Sequence, residues 1–121
     1  MNGSEIIKQK YLNPLIMGQK IGCFATTEPD ASSELSSRSV STKAEKRGNK
    51  YIVNGRKRFI TNAVVADLVC ALVKIDGKLS MLVVDLDSSG CKIGEPDKKW
   101  EIEANSLPIF ILIMWKSLWK T

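Results

Sequence analysis

The chain has 121 residues, 44% of them hydrophobic and 26% charged, with 18 Lys and Arg against 13 Asp and Glu for a formal charge of +5. This describes one domain at most, long enough to bury roughly two thirds of its unfolded surface and too apolar to be disordered throughout. Histidine is absent, which excludes Ser-His and Cys-His nucleophilic sites, histidine general bases and histidine metal sites, so any chemistry comes from a cofactor, a carboxylate or a further part of the protein.

No charged segment at the N-terminus leads into a long apolar run, so a secretory signal is not indicated and a cytoplasmic setting is expected. Residues 3–18, GSEIIKQKYLNPLIMG, predict a short amphipathic helix. Ser4 is its candidate N-cap, Glu5 lies in its first turn, Ile7, Tyr11, Leu12 and Leu15 stand at helical spacing, and Gly18 suits its exit. Pro14 is expected to end or bend it near Leu12.

From Lys20 the pattern changes to strands. IGCFATT is short and apolar, and RSVSTKAEK alternates as a strand with one solvated face does. KYIV, then Asn54-Gly55, then RKRFIT predicts a two-residue hairpin, and LVCALVKI, then Asp76-Gly77, then KLSMLVVDL predicts a second whose near-continuous apolar strands belong deep in the core. CKIGE follows as another short strand. Residues 107–119, LPIFILIMWKSLW, are interrupted by Lys116 and fall short of the ~20 residues that span a bilayer; their first half is expected to be a final strand. Five or six strands in about 90 residues predict a mainly β fold, a small antiparallel barrel or sandwich preceded by a short helix.

Cys23, Cys70 and Cys91 are odd in number, widely spaced and set in apolar runs, so they are expected to be small buried residues in a reduced protein, with neither disulfide nor metal. The basic excess favours anionic partners without choosing among them. Arg56, Lys57 and Arg58 with Tyr51 and Phe59 outline one option, a small basic barrel holding single-stranded nucleic acid. A non-functional remnant is another.

The loop at residues 24–35, FATTEPDASSEL, has no helical or strand period, and its composition alone makes it a surface turn. Its order resembles the signature of the acyl-CoA dehydrogenase family, Thr-Glu-Pro, two small or variable residues, then Gly-Ser-Asp. KQKYLNPLIMGQKIGCFATTEP, NGRKRFITNAVVADL and GCKIGEPDKKW resemble the same family in the same order, so the likeness runs from about Gly3 to Trp100. It implies a middle β domain at residues 19–106, with 1–18 as the end of the N-terminal helical domain and 107–121 as a divergent apolar tail.

The resemblance implies a flavoenzyme that takes a proton and a hydride from the α and β carbons of an acyl-CoA thioester to give the trans-2-enoyl product, passing electrons to an electron-transfer flavoprotein. In such a family FAD performs the chemistry and the protein holds it, orients the thioester and excludes water. Phe24, Thr26 and Thr27 then line the flavin ring, and Phe59, Ile60 and Thr61 supply an aromatic face and a threonine contact. Ser32 and Ser33 lie against the FAD pyrophosphate and, for Ser33, the acyl-CoA; Ser32 stands where the family has Gly, and Glu34 where it has Asp.

Glu28 and Pro29 match fully, and Glu28 is read as structural, since its place is not that of the family's base. No residue of the chain is assigned as catalytic. The family's C-terminal helical domain supplies that base, the homo-oligomer surface and part of the FAD site. After Trp100 the likeness stops, with Glu101 at a glycine position and Glu103 at a basic one. A truncated or frame-shifted reading of a longer parent is therefore expected, with weak FAD binding and no turnover by the chain alone, and neither nucleic-acid binding nor a membrane span.

Overall fold

The structure is a computed structural model that describes residues 5–29, 36–48 and 50–94 and the backbone of 112–118. The N-terminal segment is helical in three pieces, α1 (Glu5–Ile7), a π-helical stretch (Lys8–Leu12) and α2 (Asn13–Ile16). Pro14 does not end the helix near Leu12. It falls in the first turn of α2, where a missing N–H costs little, and the π stretch absorbs the offset, with the Asn13 N–H donating to the Lys8 carbonyl. Gly18 does close the helix. At φ 67° it lets its own N–H reach the Leu15 carbonyl at 3.1 Å while the Gln19 N–H reaches Pro14 at 2.9 Å, the paired bonds of a Schellman motif. Ser4 lies outside the described residues.

One face of this helix holds to the sheet and the other is bare. Tyr11 is buried, and its hydroxyl donates to Asp85 Oδ2 at 2.9 Å, while Lys10 Nζ stands 3.2 Å from the same oxygen. Ile6, Ile16 and Met17 are each about two-thirds exposed or more, at 67%, 71% and 70%.

Among the described residues seven strands follow: β1 (Gly22–Ala25), β2 (Lys43–Arg47), β3 (Lys50–Lys57), β4 (Leu68–Ile75), β5 (Lys78–Asp85), β6 (Cys91–Ile93) and β7 (Leu112–Leu118). They form one sheet in the order β1-β4-β2-β3-β7-β6, with β5 paired to β4. The architecture is a mainly β half-barrel or sandwich behind a short N-terminal helix. The hairpin partners are antiparallel, but β1 runs parallel to β4, with Gly22 opposite Leu68 and Ala25 opposite Ala71.

Because β5 pairs with β4 along its whole length, β1 and β2 must share the other edge of β4 in succession. Asp67 anchors the start of the β1–β4 pairing: its carboxylate accepts the Ile21 N–H at 2.7 Å and its own N–H donates to the Ile21 carbonyl at 2.8 Å. The core gathers at the centre, where Ala25, Val53, Val69, Ala71, Val73 and Val84 have no exposure.

β4 is buried as its unbroken apolar run predicts, whereas β5 is not. Only Val84 of β5 is fully covered, since β5 adds to one side of β4 and Met81 faces outward. RSVSTKAEK is strand only from Lys43; Ser36 and Ser39 bond to each other in a turn before it. Cys23 is buried, while Cys70 and Cys91 are half-buried. Burial pushes the Cys23 and Cys91 thiols up to about 11, with neighbouring thiols adding to the first and Asp87 to the second.

Asn54-Gly55 is not a hairpin turn. Both residues lie inside β3, Asn54 opposite Lys43 of β2 and Gly55 opposite Met114 of β7, with a register shift between Val53 and Asn54. The turn sits between β2 and β3, where Arg47 faces Lys50 across two residues and Gly48 takes φ 63°. In the tail the strand falls at Leu112–Leu118, later than the first half of residues 107–119, and pairs with β3 and β6. Residues 107–111 lie outside the described set.

Candidate functional site

Strand alternation decides which residues of β1 are available. Cys23 and Ala25 point into the core at 9% and 0% exposure, so Phe24 points out, at 62%. Past the end of β1, Thr26 and Thr27 are half-buried. Beside them runs the end of β3. The Arg58 N–H donates to the Thr27 carbonyl at 2.8 Å, and Lys57 Nζ donates to the Thr26 carbonyl at 3.2 Å.

Phe59 follows at φ 58°, a conformation that a bulky residue seldom adopts and that is tolerated only where the surroundings enforce it. The result is a reversal of facing: Phe59 is 54% exposed, and Ile60 is buried at 1% in the core. Arg58 lies over the Phe59 ring, its guanidinium carbon 4.7 Å from the centroid. Thr61 is exposed, and Asn62 again takes a positive φ of 65°.

Phe24, Thr26, Thr27, Phe59 and Thr61 therefore come from two adjoining segments and offer accessible side chains. Ile60 does not; its side chain serves by anchoring its two exposed neighbours. Ser32, Ser33 and Glu34 lie outside the described residues. The accessible set fits a flavin: two open phenyl rings suit a flat aromatic ring system, and the threonines suit its polar edge.

Beneath this wall is a buried polar junction. Glu28 is 2% exposed and Lys57 fully buried, with Lys57 Nζ 2.8 Å from Glu28 Oε1. The Ser41 N–H donates to Glu28 Oε2 at 2.7 Å and the Thr42 N–H to Oε1 at 2.9 Å, and both hydroxyls donate as well. Burial by itself would raise the Glu28 pKa; the hydrogen bonds from Lys57, Ser41 and Thr42 outweigh it and hold the carboxyl at about 2. Burial lowers the Lys57 pKa, with Glu28 opposing.

A carboxylate held this far down and engaged by five donors is a poor proton acceptor, which agrees with Glu28 as a structural residue. The junction also takes one cation from the nucleic-acid option. Lys57 was to be one of its three phosphate-facing cations, and its ammonium is sealed in the interior. Sequence reasoning missed the burial of Lys57 because it stands between two arginines; the signal was its parity with Val53 in β3.

A cleft elsewhere, lined by Lys20, Ala66, Asp67, Asp85, Leu86, Asp87 and Ile93, shares no residue with the wall. Two of its three aspartates are already engaged, Asp67 by Ile21 and Asp85 by Tyr11, Lys10 and Lys20. Among the described residues no helix is long and apolar enough to cross a membrane.

Fold and site together define a mainly β domain in which Phe24 and Phe59 stand exposed on two adjoining segments. Residues 23–110 match the acyl-CoA dehydrogenase middle domain. A 3-(aryl)acrylate reductase of Clostridium sporogenes is 38% identical over 102 residues, 80% of this chain and 26% of that protein. The acyl-CoA dehydrogenase of Geobacillus kaustophilus superposes with a TM-score of 0.80 at 37% identity, covering 95% of this chain and 32% of the other. A glutaryl-CoA dehydrogenase of Mycobacterium smegmatis in complex with FADH2 does so at 0.84 and 30% identity, over 98% and 30%. The chain belongs to the acyl-CoA dehydrogenase family, as its middle-domain region, and spans under a third of each of these relatives.

Proposed function

We propose that this chain forms the flavin-facing wall of an FAD-dependent acyl-CoA dehydrogenase. In this reading Phe24 and Phe59 pack on the isoalloxazine, Thr26, Thr27 and Thr61 serve its polar edge, and Ser32 and Ser33 serve the pyrophosphate and the acyl-CoA. Residues 1–18 are the end of a helical domain, 19–106 the wall domain and 107–121 its divergent tail. The observation that carries the reading is the pair of exposed phenyl rings on two segments tied by the Arg58 N–H to the Thr27 carbonyl.

The reaction of the whole protein would be α,β-dehydrogenation of an acyl-CoA thioester, with bound FAD supplying the two-electron acceptor. The chain's own contribution is to hold the ring, orient the thioester beside it and exclude water. The proton-abstracting carboxylate comes from outside these residues, as Glu28 is committed to the junction, so the 121-residue chain shows no turnover and binds FAD weakly. An electron-transfer flavoprotein as acceptor, a homo-oligomeric parent and a cytoplasmic setting, which suits three free thiols, complete the reading.

Titration of the purified chain with FAD tests it. The expected result is a shifted visible flavin band and quenched fluorescence, both lost in Phe24→Ala/Phe59→Ala. An FAD spectrum unchanged by the wild-type chain, or changed equally by the double variant, overturns the assignment.

A further inference from the structure

We infer that Lys57 is a positioning residue for the wall: by holding the Thr26 carbonyl from inside the protein, it aims the Thr27 N–H at the ligand side. The inference deepens the FAD reading, and rests on it for the ligand but not for the geometry.

Alternation along β3 turns Val53 and Lys57 inward. An ammonium brought indoors costs several kcal/mol unless charge and hydrogen bonds compensate, so its position is dictated by its partners. Those partners are Glu28 Oε1 at 2.8 Å and the Thr26 carbonyl at 3.2 Å. Glu28 is in turn fixed by Ser41 and Thr42 at the entry to β2. Gly55 closes the arrangement: a Cβ there would stand 2.4 Å from Thr42 Oγ1, so only glycine lets β3 come this close to the threonine that holds Glu28. The ends of β1 and β3 and the entry to β2 thus meet at one point.

Successive wall carbonyls are held by successive residues of β3, Thr26 by the Lys57 side chain and Thr27 by the Arg58 N–H. Each carbonyl shares a rigid plane with the next residue's N–H, and among the described residues no peptide bond is cis. In a trans peptide the N–H points opposite to the C=O. Drawing the Thr26 carbonyl toward Lys57 therefore turns the Thr27 N–H away from the interior, and holding the Thr27 carbonyl fixes the next plane. A purely structural ion pair would need Glu28 alone; the bond to Thr26 is what makes Lys57 a positioning group.

The experiment uses the whole chain with Lys57→Met, the paired Glu28→Gln/Lys57→Met, and Val84→Ala as a core control of lowered stability. The paired variant removes both buried charges and is expected to regain most of the stability lost by Lys57→Met. FAD affinity is read by fluorescence, and amide exchange at Arg58 is compared with Leu86, whose N–H bonds Asp67 far along the chain. Both Lys57 variants should weaken FAD about tenfold and speed Arg58 exchange about tenfold relative to Leu86, the size of one lost charge-assisted hydrogen bond, while Val84→Ala changes neither ratio.

Recovery of FAD affinity together with stability in the paired variant would overturn the inference, since Lys57 would then only balance a charge. If the wild-type chain takes up no FAD, the functional reading falls and the exchange ratio alone decides: faster Arg58 exchange in both Lys57 variants supports the positioning role, and an unchanged ratio refutes it.

Discussion

Two Asx-Gly dipeptides stand 22 positions apart in this chain, and they do opposite things. Asp76-Gly77 joins β4 to β5 with φ values of 49° and 77°, both central residues left-handed as a type I′ turn requires. Asn54-Gly55 runs straight through β3 with neighbours on both edges. At Asp76-Gly77 the glycine is present for its backbone, with open space where a Cβ would go. At Asn54-Gly55 it is present for its missing side chain, because Thr42 fills that space. A turn dipeptide states what the backbone can do locally; a packed neighbour decides which property is used.

The contrast is between a buried junction that ties the ends of β1 and β3 to the entry of β2 and an exposed turn that joins only its own two strands. It is tested most severely by Lys57→Met, which leaves Glu28 charged and buried without its partner. A loss of about 3–5 kcal/mol in urea unfolding is expected. A loss under about 1 kcal/mol would mean that the junction is no tighter than an exposed ion pair.

Acid titration sharpens the same point. Glu28 has a folded pKa of about 2 against an ordinary 4.5, so its contribution is present above the unfolded value and is lost as pH falls toward 2. Unfolding free energy should drop by about 3 kcal/mol across that window through this group, and Glu28→Gln should flatten that part of the profile. An equally steep profile in Glu28→Gln would assign the acid limb to other carboxylates.

The glycines themselves come next. Gly55→Ala should cost about 2–3 kcal/mol by overpacking against Thr42, and should also weaken whatever FAD binding the chain has. Gly77→Ala should cost about 1–2 kcal/mol from its left-handed backbone alone, with no effect on the wall, a pair of results read by thermal melts and flavin titration. Asp76→Asn, which suits the same backbone, should move stability by no more than about 0.5 kcal/mol. Equal effects of Gly55→Ala and Gly77→Ala on flavin binding would erase the distinction.

Much of the site was legible before the structure. The order of FATTEPDASSEL and RKRFIT carried the family, and alternation in GCFA already marks Phe24 as opposite to Cys23 and Ala25. The β2–β3 turn had its own signal in Gly48-Asn49, overshadowed by the stronger Asn54-Gly55 pattern six residues on. Ile60 was grouped with Phe59 and Thr61 because the resemblance covers all three, but a positive φ at Phe59 separates their directions and no sequence pattern announces it. Lys57 entered the sequence reading only as one cation of the nucleic-acid option, a role that needs it to face solvent. Its burial depends on Glu28, 29 positions away, which local periodicity does not see.

The amino-acid order by itself determined the family, the β character, the β4–β5 hairpin and the helix exit at Gly18, since these rest on short-range patterns and on left-handed positions that few residues tolerate. Tertiary structure alone decided that β1 lies parallel to β4, that β5 flanks the core instead of filling it, that Asn54-Gly55 stays extended, and that a lysine goes indoors. Each depends on partners distant in the chain, and the free energy that settles it, from burial, a paired charge and a carbonyl held in place, exists only once those partners meet.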